Sequence, residues 1–207
     1  MIYKLLAPEP NWRIYSIPLN RGPWFPLNDQ YRSLIGLMRT SRQIFGEVAQ
    51  IAYGIATFRF GRNKDLLSWL KGMGHMKQYI RNVRNISAGQ ISELRSVLHQ
   101  LKEAKHLERL TLEWYCCNSL LRRGWTMEGL AALLGPLAKA FLREREAQDD
   151  DKAAIKSVTE IFYIEPASEI LPPRSGLVSL QRRALTLQRA MREKLCGVLS
   201  APRGKRK

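Results

Sequence analysis

Short β-branched and aromatic runs alternate with amphipathic helical patterns along most of this chain, and that alternation limits the fold more than any other feature. Candidate strand centres near residues 58, 83 and 111 lie about 25–28 residues apart, which leaves room for a helix and its turns in each interval. The first helix is predicted from a cap at Asn28 or Asp29. Leu34, Leu37, Met38, Ser41, Ile44, Phe45, Val48, Ile51 and Ala52 form its buried stripe, and Gly54 ends it. Ala56–Phe60 then reads as a strand with Phe58 and Phe60 on one face. The plan repeats. Asn63 caps a helix through Leu66, Leu67, Trp69 and Leu70 that stops at Gly72–Gly74, and Tyr79–Ile86 reads as a strand. Gln90–Ala104 reads as a helix, Leu107–Trp114 as a strand, and Thr126 caps a helix that Pro136 is expected to kink. The acidic run Asp149–Asp151 falls in a loop. Val158–Ile164 follows as a strand apolar on both faces, as in a covered parallel sheet.

Leu107-x-x-Leu110-x-Leu112 and Val158-x-x-Ile161-x-Tyr163 match the opening of a leucine-rich repeat, whose period is about 20–29 residues. Tyr115 occupies the place of the ladder asparagine, and the other strands do not keep the spacing. The prediction is therefore an α/β chain: a short, irregular leucine-rich-repeat-like stack of alternating helices and strands, with a basic C-terminal helix and right-handed crossovers. Residues 1–6 read as the end of a helix, with Ile2, Leu5 and Leu6 on one face, and Pro8 and Pro10 stop it. Residues 7–28 read as a long loop anchored by Trp12, Trp24 and Phe25, with an extended piece at Trp12–Ile17. The α/β domain spans 29–166 and a linker around Pro172-Pro173 spans 167–175. A basic amphipathic helix spans 176–199, and 200–207 is a disordered basic tail.

Charge sets that C-terminal part off. The 207 residues carry a net +16. From Arg174 to Lys207, ten basic residues face the single acid Glu193, so +9 of the total lies in the last sixth of the chain. Leu177, Leu180, Ala184, Leu187, Met191 and Leu195 form an apolar stripe on the same helix. Four readings follow. The helix is a solvated arginine-rich element packed by its leucine stripe. Pro202–Lys207 directs nuclear import. Arg182, Arg183, Arg189, Arg192, Arg203, Lys205, Arg206 and Lys207 contact nucleic-acid phosphates. Or the helix lies on a membrane surface or in a calmodulin-type groove. A membrane span is not expected: the longest apolar stretch, Leu130–Leu142, is broken by Lys139 and too short. The N-terminus lacks the apolar block of a secretory signal. Three cysteines, two of them the adjacent Cys116 and Cys117, argue for a reducing compartment, so an intracellular protein, cytoplasmic or nuclear, is expected.

Motifs for chemistry are missing. His75, His99 and His106 have no metal-ligand spacing with one another or with Cys116, Cys117 and Cys196. Asp149–Asp151 lacks the glycine turn and spaced ligands of a cation loop. There is no Gly-x-Ser-x-Gly elbow. Gly204-Lys205 lacks the Ser or Thr of a phosphate loop, and Gly72 and Gly74 lack a third glycine at dinucleotide-fold spacing. A non-enzymatic protein is expected, with no catalytic, cofactor-binding or metal residues. Arg39, Arg42 and Glu47 read as ion pairs locking the first helix to the first strand, or else as a binding surface. Tyr53, Phe58 and Phe60 read as core.

Residues Leu37–Phe60, read in order, are LMRTSRQIFGEVAQIAYGIATFRF. This segment resembles a signature of fungal F-box-like proteins, in which a helix carrying Arg-Thr/Val-x-Arg-Gln-Ile-Tyr/His-x-Glu-Ala leads into Leu-Tyr-Gly-x-Asn-Thr-Phe-x-Phe. Arg39, Arg42, Gln43, Ile44, Glu47, Tyr53, Gly54, Thr57, Phe58 and Phe60 fit; Phe45, Ala52 and Ala56 depart. The layout of Leu66–Leu70, Tyr79–Ile86 and Leu107–Leu112 is also similar, so the likeness covers roughly residues 1–165. The F-box-like element of such proteins ends in a helix similar to Leu-Pro-x-Glu-Ile-Arg-Asn-x-Ile-Tyr-x-Leu, and Met1–Leu6 looks like its tail. The resemblance implies a chain that begins inside that motif and works by protein interaction, as a substrate receptor of a cullin-type ubiquitin ligase. Its partner would be the ligase's adaptor subunit, with Ile2, Leu5, Leu6, Arg39 and Arg42 as the contacting residues.

Overall fold

The computed structural model describes residues 13–14, 36–37, 40–60, 62–86, 91–113, 117–118, 121–145, 151–165 and 177–201, with backbone alone at 13–14, 85–86 and 177–180. After a two-residue strand β1 (Arg13–Ile14), helix α1 runs over Arg42–Ile55. It starts at Ser41, in extended backbone (φ −157°), whose hydroxyl accepts a hydrogen bond from the Ile44 N–H at 3.1 Å. Just before it, the Thr40 N–H and hydroxyl both donate to the Leu37 carbonyl, at 3.0 and 2.7 Å. The apolar stripe predicted as one helix from residue 28 is therefore broken at Thr40-Ser41. Their short hydroxyl side chains bond the local backbone and offer it an alternative to the helix. The cap predicted at Asn28 or Asp29 lies outside the described residues.

Strand β2 (Thr57–Arg59) follows at once. Phe58 and Phe60 are buried. Tyr53 stacks on Phe58 with ring centroids 5.9 Å apart, and Trp69 lies 4.6 Å from Phe58 and 5.1 Å from Phe60. Trp69 comes from α2 (Asn63–Met73), so this aromatic group pins α2 to β2. Arg62 holds the cap position predicted for Asn63. It makes no side-chain cap bond and instead forks to Asp65 at 3.0 and 3.2 Å, while Asn63 is buried as the first helical residue. Helix α2 stops where Gly74 takes φ +51°, a conformation that disfavours other residues. The first half of the predicted strand Tyr79–Ile86 is shortened by a 3₁₀ turn over Gly74–Tyr79, leaving β3 as Asn82–Ile86.

The remaining elements are α3 (Ile91–Leu101), β4 (Arg109–Glu113), α4 (Met127–Arg145), α5 (Asp151–Ile161), β5 (Phe162–Glu165) and α6 (Leu177–Ser200). Thr126 caps α4 as predicted, accepting from the Gly129 N–H at 3.1 Å. The strand predicted over Val158–Ile164 is corrected: helix runs to Ile161 and strand begins at Phe162. Ala154, Val158 and Ile161 are all buried at 4- and 3-residue spacing. Packing on that face overrides the strand preference of the β-branched residues. Asp151 belongs to the first turn of α5, where a carboxylate complements the helix dipole, and not to a loop.

All strand pairs are parallel, in the order β1-β2-β3-β4-β5, so each strand lies beside its successor in sequence. The register aligns Phe58, Val83, Leu110 and Phe162 across the sheet, and Ile86, Leu112 and Ile164 in a second row. The members of these rows whose side chains are described are buried in one core with Leu66, Leu70, Leu94, Leu101, Leu134 and Phe141 of the helices. Burying one such leucine contributes about 1.5–3 kcal/mol. The opposite rows are Thr57, Asn82 and Arg109; Arg59 and Arg84; Thr111 and Tyr163; Glu113 and Glu165. The sheet is apolar toward the helices and polar on its other side. This corrects the expectation that the last strand is apolar on both faces: Phe162 and Ile164 are buried, and Tyr163 and Glu165 lie half-buried on the polar side.

Helix α6, set apart in composition, packs on α4, α5 and β5 through Ala184, Met191, Leu195 and Leu199. Within that buried face stands one polar residue, Gln188, 6% exposed. Its amide nitrogen donates to the Phe162 carbonyl at 2.7 Å, and its amide oxygen accepts from the Ile164 N–H. Gln188 thus occupies the edge of β5 as a sixth strand would, and satisfies groups that burial would otherwise leave unpaired.

Candidate functional site

The polar side of the sheet gathers charges that are far apart in sequence. Arg84 of β3 reaches over β4 to Glu165 of β5 in a two-pronged pair, its Nε 2.7 Å from one carboxylate oxygen. Both side chains are 12% exposed. A fork of this kind fixes orientation as well as charge. The Arg109 guanidinium lies 4.5 Å from the ring centroid of Tyr163, where the ring quadrupole attracts a cation. Arg59 and Glu113, half-buried, complete the face. Parallel pairing places these groups: alternate residues of each strand point the same way, and neighbouring strands bring them into rows about 4.8 Å apart. The result is a surface of three arginines, two glutamates and a tyrosine, held on strands and partly preorganised by its own bonds. It suits recognition of a polar partner.

Of the residues singled out in sequence, Ile2, Leu5, Leu6 and Arg39 lie outside the described residues, as do Arg203, Lys205, Arg206 and Lys207. Arg42 is exposed on the first turn of α1. Glu47 is exposed too, and accepts a bond from Gln43 of its own helix at 3.3 Å. Among the described residues, no ion pair joins Arg42 or Glu47 to β2. Tyr53 is half-buried, and burial pushes its phenol above the ordinary range. Arg182, Arg183 and Arg189 are exposed on α6, without an ion pair among the described residues. Arg192 is half-buried, and its Nε is enclosed without a bond. Lys194 is committed elsewhere: it meets Glu128 of α4 at 2.7 Å. The hydrogen bond from Lys194 is the main reason the Glu128 carboxyl is pulled down to about 2, helped by the backbone and by Thr126, and the same bond raises Lys194.

No family model, curated protein or solved structure matches this chain. Among the described residues, no helix is long and apolar enough to cross a membrane, and no group of three His, Cys, Asp or Glu converges as a metal site would. The Arg84–Glu165 pair is invisible in sequence, because its members are 81 positions apart and only the strand register unites them. Gln188 did carry a signal: it is the one polar residue within the stripe Ala184, Met191 and Leu195.

Proposed function

We propose that this chain is a non-enzymatic protein-interaction module of F-box-like type, built as a short, irregular leucine-rich-repeat-like stack. In this reading the polar side of the sheet seats the partner. One observation carries it. An all-parallel sheet ordinarily has both faces covered and apolar, whereas this one follows chain order strand by strand and is polar on the side away from the helix core. Stacked strand–helix units of that kind use their strand face for binding. What supports the F-box-like part is the run from Arg39 to Phe60, and it implies a receptor role in a cullin-type ubiquitin ligase.

Affinity capture tests the reading in two arms. The intact chain should retain the small adaptor subunit of cullin ligases, and Leu5→Asp with Leu6→Asp should lose it; equal recovery from both counts against the F-box-like type. The double change Arg109→Glu with Tyr163→Ala should release a different protein, the sheet-bound partner, while leaving the adaptor in place.

A second reading is that α6 binds nucleic-acid phosphates, supported by exposed Arg182, Arg183 and Arg189. Each phosphate that the protein neutralises steepens the fall of log affinity with log salt by about 0.9 on duplex DNA. Changing all three arginines to glutamate would then flatten that slope by nearly three; an unchanged slope, or no binding by the intact chain, rejects this reading.

A further inference from the structure

The helical side of the molecule carries a continuous groove that neither reading uses. Three cavities of about 440, 420 and 560 Å³ lie along it. The first, between α3 and α4, shares Arg95 and His99 with the second, between α2 and α3. It shares Lys102, Ala132 and Pro136 with the third, which extends along α4 to Val198 of α6. The floor is apolar: Leu98, Trp125, Leu133 and Leu137 in the middle, and Gly135 and Ala140 toward α6. Gly129, Ala132 and Pro136 keep the α4 wall low. Pro136 also lacks the N–H that would bond the Ala132 carbonyl within the helix.

The rim has one sign. Lys71, Arg95, Lys102, Lys139 and Arg143 line the three cavities, and among the described residues no carboxylate does. Among the described residues, none of these five side chains forms a hydrogen bond or an ion pair. Two acids on the flanking elements are engaged away from it: Glu103 with Lys77 at 2.9 Å, and Glu144 with Lys105 at 3.5 Å. An apolar floor between unpaired cations fits a segment that is apolar on one side and acidic at its borders.

We propose that this groove docks an acidic amphipathic helix of a partner protein, with apolar anchors at i, i+4 and i+7 on the floor and carboxylates against Lys71, Arg95, Lys102, Lys139 and Arg143. Charge complementarity argues for this occupant over a neutral one. The floor of Trp125, Leu98 and Leu133 argues for it over a nucleic-acid backbone, which has no apolar anchors to seat. The groove lies on the helices and the proposed partner surface on the strands, so the two proposals stand or fall separately.

Fluorescence anisotropy of a panel of labelled helical peptides tests it. Each peptide carries leucines at i, i+4 and i+7 flanked by glutamates, and is titrated with the full chain beside a single-stranded oligonucleotide of equal charge. The expected result is saturable binding that weakens about tenfold or more, some 1.4 kcal/mol, on Lys102→Glu with Lys139→Glu, and again when the peptide glutamates become glutamines. Ala132→Trp, which fills the floor without removing a charge, should weaken the peptide to a similar degree. Circular dichroism confirms that each variant is folded. Failure of every peptide to bind overturns the proposal. So does binding of the oligonucleotide in preference to the peptides, or peptide binding that none of these substitutions changes.

Discussion

A single amide, Gln188, joins two elements that composition placed in different parts of the molecule. It pairs with both the Phe162 carbonyl and the Ile164 N–H, so replacing it strands a buried acceptor and a buried donor together. Each unsatisfied group costs about 1–3 kcal/mol. Gln188→Ala should therefore lower stability by about 2–4 kcal/mol in urea denaturation, with faster amide exchange at Ile164. A loss below about 0.5 kcal/mol, the size of an ordinary surface change, would mean the pairing contributes little. Legibility at this scale depends on contrast. A lone polar residue on an apolar stripe stands out, and so does Thr126, a capping residue directly ahead of a run of apolar helix formers. Arg84 and Glu165 do not stand out, because a charged residue on the open side of a strand looks the same whether or not it has a partner.

At the scale of elements, periodicity locates the described helices apart from α5 and misjudges several ends. The Thr40-Ser41 break is hidden because apolar spacing continues across it, and only the competition between hydroxyl and backbone bonds separates the two segments. Helix α5 is masked for the opposite reason. Ile155, Val158, Thr159 and Ile161 are β-branched and suggest a strand, yet Val158 and Ile161 share a buried helical face with Ala154. Charge misleads more than shape at α6. Its arginines set it apart in composition, while its stripe buries Ala184, Met191, Leu195 and Leu199 against the core. Removing Leu177–Lys207 should thus abolish cooperative thermal unfolding instead of trimming a tail, since it uncovers α4 and the β5 edge together. A truncated chain that melts cooperatively within a few degrees of the intact one would show that α6 is dispensable.

Over the whole molecule, the sheet divides its roles by face. The apolar rows hold the helices, and the polar rows are left with arginines, glutamates and a tyrosine in fixed register. The α/β class and the alternation of elements are legible in sequence, because a spacing of about 25–28 residues admits little else. The polar face is not, because it arises from strand order and register, which no local pattern encodes. We propose that this face seats a protein partner. The most direct measurement is site-specific photo-crosslinking in cells, with the photoreactive residue placed singly at Arg109 on the sheet, Arg183 on α6 and Gln43 on α1, all three exposed. The expected result is one dominant adduct from position 109 that is weak or missing from 183 and 43, and that disappears when Tyr163→Ala is added. Adducts concentrated at 183 or 43, with none at 109, would contradict it.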